Sequence, residues 1–183
     1  MIAICYDLHN TLIKSNKAWL KAFKKMCREK YSIIKQEYKF MSRKSICKKY
    51  DINSEQLENE YRKYIKLSKK VCKSYYEYLH KLPTIIISNA PASRVYKDIE
   101  KCKLKHNSVK IYTKEDGEKP DSEYINKILL QNKIKFAIMI GDNKNEDVFN
   151  LKNVRTVLVD ETKNISKEIN KILDEFKNEN LFT

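Results

Sequence analysis

A chain of 183 residues, 42% hydrophobic and 10% aromatic, can bury one ordinary core and a small insertion, which excludes two full domains and, despite 34% charged residues, a disordered chain. Its apolar runs are short and broken by Lys or Asp, so no membrane span is predicted; the run from Met1 meets Asp7 too early for a signal-peptide core, and the cytoplasm is the expected compartment. The net charge of +14 raises a nucleic-acid partner, but few of the 38 basic residues are Arg and the lysines read as spread along the whole chain, which favours a solvated lysine-rich surface with a weak attraction for phosphate-bearing substrates.

Ile2–Tyr6 is a five-residue apolar run that suits a buried strand of a parallel sheet. Residues 14–82 follow as a long helical block, with Trp19, Phe23 and Met26 at helical spacing, then Leu57, Tyr61, Tyr64 and Ile65, then Tyr75, Tyr78 and Leu79; Asn53 or Ser54 is the expected N-cap of its second half. Four more short strands are predicted at residues 84–87, 109–112, 136–140 and 156–159. Helices at 92–101, 122–132 and 145–152 separate them, and one at 166–176 follows the last strand. Strand and helix in alternation imply a Rossmann-like, doubly wound α/β core from residues 1–13 and 83–183, with 14–82 as a small all-helical insertion. The five cysteines are odd in number and form no CxxC pair, so they read as reduced, buried thiols.

Polar groups gather where these strands end. Asp7, Leu8, His9, Asn10 and Thr11 follow the first strand, and Ser88 and Asn89 the second. Gly117, Glu118, Lys119, Pro120 and Asp121 follow the third, and Gly141, Asp142, Asn143, Lys144, Asn145, Glu146 and Asp147 the fourth. Each group alone could be an ordinary turn or helix start. In a parallel α/β sheet, however, all four meet in one crevice beyond the carboxyl ends of the strands. The only two glycines of the chain, Gly117 and Gly141, both lie in these loops, which suggests backbone positions that tolerate no side chain.

That ordered set resembles the haloacid dehalogenase-like hydrolase superfamily. Asp7 to Thr11 is similar to its DxDxT motif, Ser88 to its second-strand Ser/Thr, Lys119-Pro120 to its lysine motif, and Gly141-Asp142 through Asp147 to its GDxxxxD motif. The resemblance implies a phosphatase with a helical cap over small phosphorylated metabolites. Asp7 would be the nucleophile, and Ser88, the Asn89 backbone and Lys119 would hold the phosphoryl group. Mg²⁺ would sit on Asp7, Asp142 and the His9 carbonyl, with Asp147, or Glu146 in its place, supporting that ion or Lys119. His9 departs from the pattern, because it stands where the acid/base Asp is expected. An imidazole, with an ordinary pKa near 6.5, can both protonate a leaving oxygen and activate water; otherwise only its carbonyl takes part and the side chain faces the cap. His80 and His106 lie outside the motifs and read as structural. The competing readings are a catalytically weak phosphate-binding or regulatory domain and, less favoured, a nucleic-acid end phosphatase. The expected assembly is a monomer or homodimer.

Overall fold

The computed structural model describes residues 1–105, 107–160, 162 and 164–178, so His106 lies outside the described residues. Among the described residues five parallel strands form one sheet: β1 (Ile2–Tyr6), β2 (Thr84–Ile87), β3 (Lys110–Tyr112), β4 (Phe136–Gly141) and β5 (Val154–Leu158), in the order β3-β2-β1-β4-β5. The chain builds outward from β1 in one direction through β3 and then crosses to β4 and β5. The switch in direction therefore lies between β1 and β4. β1 is buried along its whole length, which explains why it reads as a continuous apolar run instead of an alternating one. On one face of the sheet, Ala3, Cys5, Ile85, Ile87, Ala137 and Met139 pack with Tyr124, Ile125, Ile128 and Leu129 of helix α7 (Ser122–Gln131).

The remaining helices are α1 (Asn16–Met26), α2 (Tyr31–Glu37), α3 (Arg43–Tyr50), α4 (Ser54–Arg62), α5 (Lys69–Tyr78), α6 (Ala92–Lys101), α8 (Lys144–Asp147) and α9 (Ile165–Asn178). The chain divides into two compact units, one of Lys14–Lys66 and one of Met1–Ile13 with Leu67 onward. In the smaller unit α1 packs on α4 through a Trp19–Tyr61 stack with ring centroids 3.8 Å apart, and the Arg43 guanidinium lies over the Trp19 ring at 4.1 Å. Stacked pairs of this kind add about 0.5–1.5 kcal/mol beyond their buried area. Asn53 caps α4, its Oδ1 accepting from the Gln56 N–H at 3.0 Å.

Three sequence expectations need correction. The helical block is not one unit to residue 82, because α5 belongs to the sheet-bearing unit. Tyr75 meets Tyr6 of β1 edge-on at 5.3 Å, the Tyr78 hydroxyl donates to Asn170 Oδ1 of α9 at 2.6 Å, and Cys72 Sγ donates to the Leu12 carbonyl. The helix predicted at 145–152 is the single turn α8, since Val148 is extended and Phe149 turns into the core. The basic residues are also less evenly spread than they read: Lys14–Lys66 holds 16 basic and 6 acidic residues, a net +10, and the rest of the chain 22 and 18, a net +4. All five cysteines are unpaired thiols, with Cys5, Cys47 and Cys72 buried and Cys27 and Cys102 partly so; His80 is exposed. Among the described residues no helix is long and apolar enough to cross a membrane.

Candidate active site

β1 delivers Asp7 one residue past its end, where the Asp7 N–H donates to the Ile140 carbonyl of β4 at 2.8 Å and so extends the strand pairing into the loop. The chain then turns back on itself. Asn10 takes a left-handed φ of 67°, which Asn tolerates better than most side chains, and the Ile13 N–H donates to the Leu8 carbonyl at 2.8 Å. This tight loop buries Thr11 completely and lets its hydroxyl donate to Asp142 Oδ1 at 3.3 Å, tying the first motif to the fourth.

Lys119 is buried, with its Nζ donating to Asp7 Oδ1 at 2.7 Å and to Asp147 Oδ1 at 2.5 Å. Burial alone would lower its pKa, but the two carboxylates more than offset that and hold the ammonium above the ordinary lysine value. Gly141 is explained here by space, because a Cβ at that position would collide with the Asp147 carboxylate. Gly117 is explained by conformation as well, since it has a φ of 151° and a Cβ there would strike the Tyr124 ring.

Carboxylate oxygens of Asp7, Asp142 and Asp147 lie within 4.8 Å of one another. Withdrawal from water, and next the charges of Asp7 and Asp147, push Asp142 up to about 6. Asp147 is raised by its burial and then by Asp7, although Lys119 pulls the other way. Three hard oxygen donors that repel one another are the donor set a hard divalent cation takes, so the residues fit such an ion. Of the two acidic candidates on α8, Asp147 reaches Lys119, whereas Glu146 accepts from Asn89 Nδ2 at 3.1 Å.

Asn89 holds the third motif in place. Its Oδ1 accepts from the Lys119 N–H at 2.7 Å and its Nδ2 donates to the Lys119 carbonyl at 3.0 Å, so its side chain is committed to bracing and only its backbone is left for a ligand. Ser88 follows β2, its Oγ accepting from the Ala90 N–H at 3.3 Å and lying 3.3 Å from His9 Nδ1. The His9 side chain does not stand apart in a loop. Its Nε2 is 3.0 Å from Asp98 Oδ2 on α6. Burial lowers the imidazole pKa below its ordinary value, with Arg94 adding to the effect and Asp98 and Asp7 opposing it.

These groups line a cleft of about 250 Å³, room for a phosphoryl group and a few further atoms, onto which Asp7, His9, Ser88, Arg94, Asp142 and Glu146 all open. All seven sequence-predicted site residues, Asp7, His9, Ser88, Asn89, Lys119, Asp142 and Asp147, meet at or beneath it. Asp98 and Arg94 were missed. A signal existed for Asp98: with Val95 and Ile99 it occupies the apolar stripe of α6, where a carboxylate is costly unless something pairs with it.

A parallel sheet ordered β3-β2-β1-β4-β5, with an acidic crevice at its switch point, defines a Rossmann-like, doubly wound α/β core. The family model of the haloacid dehalogenase-like hydrolases matches residues 4–156, and the chain belongs to that family. No curated protein matches it significantly. Among solved structures it is similar to a Thermotoga maritima protein assigned as a beta-phosphoglucomutase, with a TM-score of 0.70 and 13% identity over 96% of this chain and 99% of that one. It is also similar to a haloacid dehalogenase family enzyme of Bacteroides thetaiotaomicron in complex with magnesium and inorganic phosphate, with a TM-score of 0.63 and 14% identity over 92% and 98% of the two chains. A family hydrolase of Deinococcus radiodurans with bound phosphate and sodium gives 0.60 and 15% over 78% and 73%. At these identities the likeness is one of fold.

Proposed function

We propose that the protein is a Mg²⁺-dependent phosphatase that hydrolyses a small phosphomonoester through a phosphorylated Asp7. The observation that carries this reading is Asp7 itself, a carboxylate at the end of β1 that is gripped by Lys119, set against Asp142 and Asp147, and open to a cleft that also presents Ser88.

Lys119 fixes one oxygen of Asp7 and leaves the other for attack on phosphorus. The Ser88 hydroxyl and the Asn89 backbone donate to the phosphoryl oxygens. As the bond from phosphorus to the leaving oxygen breaks, the imidazolium of His9 gives that oxygen its proton, and the phosphoryl group is left on Asp7. Neutral His9 then takes a proton from water as that water attacks phosphorus, releasing inorganic phosphate and restoring both the Asp7 carboxylate and the imidazolium. Asp7, Asp142 and the His9 carbonyl would hold Mg²⁺, with Asp147 behind them; bound there, the ion supplies the positive charge that offsets the approach of carboxylate to phosphate. The complexes of family structures with magnesium and phosphate support this choice of ion and ligand. The helical unit of Lys14–Lys66 would act as a substrate-selecting cap.

The test is phosphate release from a panel of phosphorylated sugars, nucleotides and cofactors with and without Mg²⁺. Turnover of at least one member that depends on Mg²⁺ is expected; uniform inactivity would favour a phosphate-binding or regulatory role.

A second reading, a nucleic-acid end phosphatase, has one observation in its favour, the net +10 concentrated in 53 residues. It requires binding of a labelled single-stranded oligonucleotide that weakens steeply with salt.

A further inference from the structure

We propose that Asp98 is a positioning residue that holds the His9 imidazole in one tautomer and one orientation, with Nε2–H turned to α6 and Nδ1 turned to Ser88 and the cleft. The proposal rests on the phosphatase reading for its catalytic consequence, but not for its structural content.

The geometry leaves the ring two hydrogen-bonding partners of opposite character. Asp98 is fully buried, and its Oδ2 lies 3.0 Å from Nε2. A carboxylate only accepts, so Nε2 must carry the hydrogen. Nδ1 of the neutral ring is then the acceptor, and the group it faces is the Ser88 hydroxyl at 3.3 Å. Ser88 Oγ already accepts from the Ala90 N–H, which leaves its own hydrogen to donate to Nδ1 of the neutral ring, and frees it for a phosphoryl oxygen once the ring is protonated. The chain of donors therefore runs in one direction, from Ala90 through Ser88 and His9 to Asp98.

The cleft is lined by His9 and Ser88 but not by Asp98; with Nε2 committed to Asp98, Nδ1, on the side of Ser88, is the ring nitrogen left for a ligand. In the proposed reaction, the proton given to the leaving oxygen departs from Nδ1, and the proton taken from water arrives there. The Nε2–H bond to Asp98 stays intact throughout. Asp98 touches neither substrate nor reacting atoms and acts through His9. The cost of withdrawing a carboxylate from water into the apolar stripe of Val95 and Ile99 gives a reason to seek its partner, and His9 is one.

The experiment is ¹⁵N NMR of the full chain labelled at its three histidines, in mildly alkaline buffer, with the His9 signals identified by their loss in His9→Gln. The Nε2–H tautomer is expected in the wild type. Asp98→Asn, nearly the same in shape, can donate to Nε2 and should turn the ring to the Nδ1–H form. In hydrolases whose histidine is held by a buried aspartate, the same exchange costs about 10⁴ in kcat. Here, a fall in kcat of about 10²-fold or more is expected on alkyl phosphates. On p-nitrophenyl phosphate, whose leaving group needs little protonation, the first step, read as the pre-steady-state release of p-nitrophenol, should slow at most about tenfold, while hydrolysis of the Asp7 adduct, which also uses His9, slows for every substrate. An Nδ1–H tautomer in the wild type would overturn the proposal, as would an unchanged tautomer in Asp98→Asn or an equal loss in the first step on both substrates. If Asp98→Asn fails to fold, the wild-type tautomer alone still decides. If the wild type hydrolyses no phosphomonoester, the phosphatase reading fails while the NMR result still judges Asp98.

Discussion

The two compact units divide charge and chemistry between them. Lys14–Lys66 has a net charge of +10 and is held by ordinary helix packing around Trp19, Phe23, Leu57 and Tyr61. The sheet-bearing unit is nearly balanced at +4, yet Asp7, His9, Ser88, Lys119, Asp142 and Asp147 all lie in it, gathered from four loops and held by fixed partners. A high density of surface charge attracts anions without organising them. A few buried groups with fixed partners can do chemistry, because each partner sets a protonation state and an orientation.

The largest expected effect strikes the balanced unit. Asp7→Asn should keep the fold and lower phosphate release by at least about 10³-fold. Lys119→Met should be the most destabilising single change at the site: it leaves Asp7 and Asp147 facing each other without their cation, at a cost of about 3–5 kcal/mol read by denaturant unfolding. Saturating Mg²⁺ should raise the thermal midpoint near neutral pH by about 5–10 °C and partly rescue Lys119→Met.

The pH dependence sharpens the same contrast. A carboxyl raised in the folded state contributes stability at low pH that is lost as pH climbs through its folded pKa. With Asp142 raised from 3.8 to about 6 and Asp147 also raised, the metal-free protein should therefore become less stable as pH climbs from about 4 to about 6. Mg²⁺ should remove most of that decline, and its own stabilisation should be smaller in acid, where protons compete for the same oxygens. His9, whose pKa is lowered by burial, should confine turnover of alkyl phosphates to a bell centred on the mildly acidic side, and His9→Asp should move that bell further to acid.

Deletions test where the boundary between the units falls. Replacing residues 17–65 by a short linker should leave a folded sheet-bearing unit that discriminates less among substrates. Extending the deletion through His80 should unfold it, because α5 brings Tyr75 against Tyr6 and Tyr78 against Asn170. Equal stability of the two deletions would contradict the assignment of α5.

The sequence made the sheet and most of the site legible, for a physical reason. A buried parallel strand must be a continuous apolar run, and groups that follow such runs converge. What escaped were facts about partners. The periodicity of Tyr75 and Tyr78 announces an amphipathic helix but not the surface that covers it, so α5 read as continuous with the helices before it. Asn145 through Lys152 had helical spacing, but Phe149 gains more by entering the core than by extending α8. Glu146 and Asp147 were equivalent in the sequence. They separate only once Asn89 and Lys119 are placed.

The central claim is that phosphate passes through Asp7. Single-turnover reaction with p-nitrophenyl phosphate and Mg²⁺, quenched in acid and followed by peptide mass spectrometry, should find a hydroxylamine-labile phosphate adduct on the peptide that contains Asp7, absent in Asp7→Asn. An adduct on Ser88 instead, or phosphate release at the wild-type rate by Asp7→Asn, would contradict the account.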